Sequence, residues 1–396
     1  MGDDAHGGNE RKKVAVACQG GGIHAAFEVG VLTEILTDIQ RRNRFDLVGL
    51  SGSSAGALCA LMVWYGLASK NGHAGSVSEA IERLNRFWDG FAADGLAENL
   101  INLLAKAALK ARELETPVLG LNAPVFSLNP RGAISKAMTG ALPLLGIRRQ
   151  YYDLEALLDD ACPQFAGIDW PNLQTRLLVG ATDVTNGIET VFDSARNNTP
   201  GEVTKFWRER FPLSLKGVAA SGTLPEFRQA ERIAGRCYWD GLYSLNPPVR
   251  EFWMGTLKQD IPDEIWVVRI NPQQCAQEPE TNEEIQDRQN ELMGNLSLNK
   301  ELDFIVHVND WINANESRNN KPFDDNLKQV TVRTIKMPEH TAAELRSSSK
   351  FDRSRGFIDR LRREGHEVTQ EWLNGWPENV GCYPDDAGYR ALRRFF

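Results

Sequence analysis

Paired cysteines are missing from this chain of 396 residues. Cys18, Cys59, Cys162, Cys237, Cys275 and Cys382 stand singly, with no C-x-x-C spacing and no histidine at ligand spacing. That excludes a zinc-ribbon or disulfide framework and points to a reducing compartment. A positive charge balance is missing too. The formal net charge is −8, so neither a nucleic-acid partner nor strong electrostatic docking on anionic lipid is expected. No apolar run is long enough to span a bilayer: the longest, 55–68, covers 14 residues and reads as a buried helix. Residues 1–13 hold no apolar stretch of the signal-peptide kind, and His6 stands where a myristoylation motif beginning at Gly2 carries Ser or Thr. The expectation is a cytoplasmic protein, with peripheral membrane contact and export without a cleaved signal both left open. No acidic loop has calcium-ligand spacing, so no metal and no cofactor are expected. Internal repeats and low-complexity blocks are absent as well, and the oligomeric state cannot be read.

What is present suffices for a core: 42% of the residues are hydrophobic and 25% charged, ordinary globular values. After a polar tail (1–11), Val14-Ala15-Val16-Ala17-Cys18 reads as a buried parallel strand running into Gln19-Gly20-Gly21-Gly22. A helix follows with Phe27, Val31, Ile35 and Ile39 on one face. Leu47-Val48-Gly49-Leu50 is a second strand, ending in Ser51-Gly52-Ser53-Ser54-Ala55-Gly56 and an apolar helix. Strand, glycine-rich turn and helix occurring twice is the rhythm of a parallel α/β sheet. Over 77–150 helical segments are broken by Pro117, Pro124, Pro130 and Pro143 without a strand signal, which predicts an inserted helical cap. Strands are predicted again at 176–181, 188–192, 237–239, 265–270 and 330–335. Thr281-Asn282-Glu283-Glu284 is a capping box opening a helix toward Asn313, and a charged helix covers 352–374.

The chemistry concentrates in three places. Gly52-Ser53-Ser54-Ala55-Gly56 fits G-x-S-x-G between an apolar strand and an apolar helix, the setting in which a sharp turn presents Ser54 as a nucleophile. Gly20, Gly21 and Gly22 can turn consecutive N–H groups toward a developing oxyanion. The same bend also satisfies G-x-G-x-x-A, the dinucleotide fingerprint, through Gly20, Gly22 and Ala25. A dinucleotide-binding oxidoreductase therefore stands as an alternative. None of His6, His24, His73, His307, His340 and His366 follows a strand in a small-residue loop, as a triad histidine would. Asp240, at the end of Tyr238-Trp239 and followed by Gly241, can approach a neighbouring loop and take a serine proton.

Gln19-Gly20-Gly21-Gly22, Gly52-x-Ser54-x-Gly56 and Asp240-Gly241, in this order, resemble the patatin-like phospholipases. Ala181-Thr182-Asp183 with Phe192, and 220–227 (Ala-Ser-Gly-Thr-Leu-Pro-Glu-Phe), resemble two further blocks of that family. The resemblance covers about residues 12–252 and implies a three-layer α/β fold on a parallel sheet, with the cap at 77–150 and a C-terminal extension (253–396) that completes the sheet and adds helices. It implies a Ser–Asp dyad of Ser54 and Asp240 with Gly20, Gly21 and Gly22 as the oxyanion hole, acting on fatty-acyl esters of lipids or phospholipids and releasing fatty acid. His24 falls where the family often has a basic side chain, and Ala55 follows the nucleophile, so both are candidates beside the site. Gln19 replaces the usual Asp, and Leu242 follows Asp-Gly where Gly or Ala is usual. Tail residues 290–298 resemble bacterial members, implying a bacterial origin. A non-catalytic or partner-activated scaffold of the same fold is the other alternative. Two stretches have membrane-facing character: the basic, aromatic end 390–396, and the helix 98–112, with Lys106, Lys110 and Arg112 opposite leucines.

Overall fold

A strand that is apolar on both sides must be covered on both sides, and this organises the protein. The computed structural model describes residues 11–113, 147–149, 153–198, 208–225, 228–275, 277–317, 327–378 and 380–383. In it β1 (Lys12–Cys18) turns Val14, Val16 and Cys18 into one core and Ala15 and Ala17 into another, all fully buried. A 3-10 turn (Gly22–Ala25), α1 (Ala26–Arg42), β2 (Phe45–Gly52), α2 (Ala55–Leu67), α3 (Val77–Phe91) and α4 (Gly95–Glu113) follow. Then come α5 (Leu154–Ala161), β3 (Arg176–Asp183), β4 (Ile188–Asp193), β5 (Arg208–Pro212), α6 (Leu215–Ser221), β6 (Glu231–Ile233) and β7 (Arg236–Asp240). The chain continues through β8 (Glu264–Arg269), α7 (Asn282–Ser317), β9 (Thr331–Lys336), α8 (Glu339–Glu344) and α9 (Arg355–Gly375).

The sheet runs β5-β4-β3-β2-β1-β8-β9, with β7 paired to β3 and β6 to β7. Its central strands are parallel, while β3 pairs antiparallel with both β4 and β7. Helices α1, α2, α3 and α9 cover one face, and α7 with the segment 245–261 covers the other. This is the three-layer α/β fold with a mostly parallel sheet and a helical C-terminal region.

Two short strands, β5 and β6, have no apolar run to announce them. Arg208-Glu209-Arg210 in β5 lies at the sheet edge, where charged side chains are the usual guard. β6 meets β7 through Ala234 and Gly235, both at positive φ, the two-residue turn that matches strand twist. The first part of the segment expected as a cap packs on the core. Ala80, Leu84, Phe87 and Trp88 of α3 are buried in the main core, with Ala80 against Gly66 of α2, so α3 belongs to the helical layer. Pro117, Pro124, Pro130 and Pro143, residues 1–10 of the tail and the end 390–396 lie outside the described residues.

Candidate active site

β3 brings together two turns that are far apart in sequence. On one of its edges β2 pairs with the first half, Gly49↔Arg176 to Gly52↔Val179, and β7 pairs with the second, Ala181↔Asp240 to Asp183↔Tyr238. β2 runs parallel to β3 and β7 antiparallel, so their C-terminal ends face each other across Gly180. Ser53 fills the notch: its hydroxyl donates to the Leu245 carbonyl, and any Cβ on Gly180 or Gly241 would lie 2.6 Å from its Oγ. Ser54 stands two positions past the end of β2, and Asp240 is the last residue of β7.

Ser54 takes φ 55° and ψ −131°, a left-side conformation that a residue with a Cβ avoids unless its surroundings impose it. The two motif glycines explain how the turn is imposed. A Cβ on Gly52 would meet the backbone of Gly56 and Ala57, and one on Gly56 would meet the backbone of Cys18 and Gln19. The first turn of α2 is thus pressed onto the end of β1, and Ser54 is lifted above it.

One small-residue block holds both partners. Ser221 Oγ accepts the Ser54 N–H at 2.9 Å, and the Thr223 carbonyl accepts the Asp240 N–H at 2.9 Å. Ser221 ends α6, whose start is capped by Ser214. Glu226 and Phe227 of the same block lie outside the described residues. Asp240 is fully buried, with Oδ1 accepting the Leu242 N–H at 2.8 Å, whereas Ser54 is half-buried. Leu242, an unusual residue after Asp-Gly, packs its side chain near Gly294 of α7.

The glycine bend lies beside this pair, since a Cβ on Gly20 would sit 2.8 Å from that of Ser54. Of the three expected oxyanion donors, Gly20 gives its N–H to Asn246 Oδ1 at 2.6 Å. Gly21 is extended and Gly22 has φ +61°, so their N–H groups open the 3-10 turn. Gln19, fully buried, accepts the N–H groups of Ile270 and Asn271 at 3.1 Å and donates to Asn295 at 2.9 Å. An amide can donate and accept at once, which an aspartate cannot, and this accounts for Gln at that position. Ala55 is buried as the first residue of α2.

His24, expected beside the site, lies in the 3-10 turn that follows the bend. It is 3% exposed, and burial, helped by the Lys350 cation, holds its imidazole well below the usual histidine range. Its Nε2 meets Ser349 Oγ at 2.7 Å. The cation at the bend is Lys350, whose Cβ lies 3.0 Å from where a Gly22 Cβ would stand. Burial pushes the Lys350 ammonium down, against the opposing pull of Glu291, Asp287 and Asp240. Sequence reasoning assigned no role to Ser221, Asn246 or Lys350. Ser221 was at least visible in the small-residue block 220–227, but nothing local marks Asn246 or Lys350, whose places depend on the path of the chain after β7 and after β9.

Among the described residues no cluster of three or more His, Cys, Asp or Glu could hold a metal ion, and no helix is long and apolar enough to cross a membrane. The structure of VipD from Legionella pneumophila is similar at 15% identity and a TM-score of 0.38, over 92% of this chain and 67% of that one. The type III effector protein ExoU is similar at 12% identity and a TM-score of 0.27, over 91% of this chain and 53% of that one. No curated protein matches the chain. The patatin-like phospholipase family matches residues 16–253, which include the elbow at Ser54, the glycine bend and the Asp240 turn. With well over half of its length matched, the chain belongs to the patatin-like phospholipase family.

Proposed function

We propose that this protein is a serine acyl hydrolase of lipid esters working through a Ser54–Asp240 dyad. The observation that carries the reading is the double anchoring of Ser54 and Asp240 on Ser221 and Thr223, two residues of one block. Ser54, lifted by its strained turn, attacks the ester carbonyl while the Asp240 carboxylate takes the hydroxyl proton. The N–H groups of Gly21 and Gly22, at the opening of a helical turn, stabilise the oxyanion. The protonated Asp240 then gives its proton to the departing alcohol, a glycerol or lysophospholipid. Asp240 next deprotonates the water that releases the fatty acid. Gly20 shapes the bend and donates elsewhere.

The dinucleotide alternative loses support at the end of the second strand, which runs into Ser51-Gly52 where an acidic residue would be needed to hold a ribose. Mass spectrometry of a lipid extract incubated with the protein, its Ser54→Ala variant and its Asp240→Asn variant tests the reading. Free fatty acid appears with the parent only, and each substitution lowers kcat/KM on a short nitrophenyl ester by about a thousandfold or more. Retained activity in Ser54→Ala overturns the assignment. Failure of Ser54 to react with a fluorophosphonate, alone and in host lysate, favours the non-catalytic scaffold.

A further inference from the structure

A glycine leaves its peptide units free to turn either way. Gly20, Gly21 and Gly22 in a row therefore let the bend form, but do not by themselves fix which way its N–H groups face. The restraint acts on Gly20. Asn246, fully buried, accepts the Gly20 N–H on Oδ1 at 2.6 Å and donates from Nδ2 to the Gly20 carbonyl at 3.4 Å. Asn271 donates from its own Nδ2 to the same carbonyl, also at 3.4 Å. A trans peptide is planar, and its C=O and N–H point in opposite directions. With the Gly20 carbonyl drawn toward two side-chain amides, the Gly21 N–H of the same peptide unit is turned away from them. Among the described residues none accepts it.

The two amides are themselves held in place. Gln19 Oε1, at the root of the bend, accepts the Asn271 N–H at 3.1 Å. Helix α7 closes over both side chains at a glycine: a Cβ on Gly294 would lie 2.7 Å from Asn246 Nδ2 and 3.3 Å from Asn271 Nδ2. Asn246 also shares a loop with Asp240, six positions earlier. Between them, the Leu245 carbonyl takes the Ser53 hydroxyl beside the nucleophile. One loop thus ends the strand of the base, steadies the turn of Ser54 and grips the bend.

We infer that Asn246 is a positioning residue, supported by Asn271, which pins the Gly20–Gly21 peptide so that the Gly21 N–H stays aimed at the oxyanion. This rests on the hydrolase reading above. A donor that acts only on the oxyanion is worth nothing in the ground state, so its misplacement falls on kcat and leaves KM alone. Full-length parent, Asn246→Ala and Asn271→Ala are compared on a soluble nitrophenyl ester. Rates are divided by the serine that reacts with excess fluorophosphonate, so misfolded protein does not count. Asn246→Ala lowers kcat about a hundredfold, with KM held within about twofold. Its affinity for a trifluoromethyl ketone, to which Ser54 adds to leave an oxyanion, weakens by about the same factor. The acidic limb of its pH profile stays in place. Asn271→Ala, which removes one of the two donors to the carbonyl, lowers kcat about tenfold in the same pattern. It decides the matter if Asn246→Ala does not melt cooperatively. A raised KM at unchanged kcat overturns the proposal, as does unchanged affinity for the ketone. A shifted acidic limb also overturns it, since Asn246 would then be acting on Asp240. Hydrogen exchange of the segment 19–25, read by mass spectrometry, needs no turnover. It speeds up in Asn246→Ala as the Gly20 N–H loses its acceptor, and unchanged exchange overturns the proposal. If the parent cleaves no ester, the hydrolase reading fails, and the exchange result still decides whether Asn246 holds the bend.

Discussion

In the proposed dyad Asp240 has to be charged when it takes the proton, and a cation whose field reaches it helps decide at what pH that holds. Lys350 is that cation for Asp240. Its other neighbours do not cancel the effect: Asp287 and Glu291 face it from α7 with Arg346 and Arg288 as their own partners at 3.8 and 2.9 Å, and His24 is neutral. A nearby positive charge favours the ionised carboxylate, so its removal makes Asp240 harder to ionise. Lys350→Met should therefore move the acidic limb of the kcat/KM–pH profile upward, by about half a unit or more. Lys350→Arg should leave it in place. A profile that does not move, or one that moves equally in both variants, removes Lys350 from the chemistry. The turns that carry Ser54 and Asp240 were legible in the sequence because each is a local pattern of strand end, glycine and helical turn. Lys350 and Asn246 were not, because their roles come from contacts across 328 and 226 positions, to Gly22 and Gly20. The burial of His24 was not legible for a related reason: no local signal tells a polar residue at a helix start that a segment more than 300 positions on will cover it.

Helices are placed by what their smallest residues allow. α1 and α9 cross where Gly30 faces the backbone of Arg362 and His366, and Gly365 faces the backbone of Phe27 and Val31. The two glycines are reciprocal, each letting the other helix's main chain approach to contact. A methyl group at either position meets a carbonyl oxygen that cannot rotate away. Gly30→Ala or Gly365→Ala should cost about 1–3 kcal/mol, measured by urea unfolding, with the soluble-ester rate at low temperature little changed. An unchanged unfolding midpoint in both would mean that the crossing is looser than described. The same scale shows why strands read better than helices here. An apolar strand such as Val14 to Cys18 has one destination, a sheet interior. The stripe of α3 (Ala80, Leu84, Phe87, Trp88) looks the same whether it covers the sheet or caps a pocket, and the leucine stripe of α4 looks like any buried face until Glu98, Asn102 and Lys106 find their partners.

The family match ends at residue 253, yet the sheet does not. β1, an interior strand, is paired on one side with β2 and on the other with β8, which begins only at Glu264. Trp266 of β8 packs edge-on against Phe45, Trp372 and Trp376 at 4.7, 4.8 and 5.4 Å, joining β2 to α9 and the residue after it. Glu264 gathers Lys12 and Arg333 as ion pairs and the indole N–H groups of Trp266 and Trp376. Gln19, at the root of the glycine bend, is held by the end of β8 and by α7. A chain cut after residue 253 would therefore leave β1 as an open edge, with Ala15 and Ala17 stripped of the α7 layer and the bend stripped of its supports. Such a fragment should show no cooperative thermal transition and should aggregate through that edge. Co-expression with residues 254–396 should restore both solubility and esterase activity by returning β8 to its place. A fragment 1–253 that melts cooperatively and cleaves the ester alone would show that β1 tolerates an open edge, and that the C-terminal region is an accessory rather than half of the core.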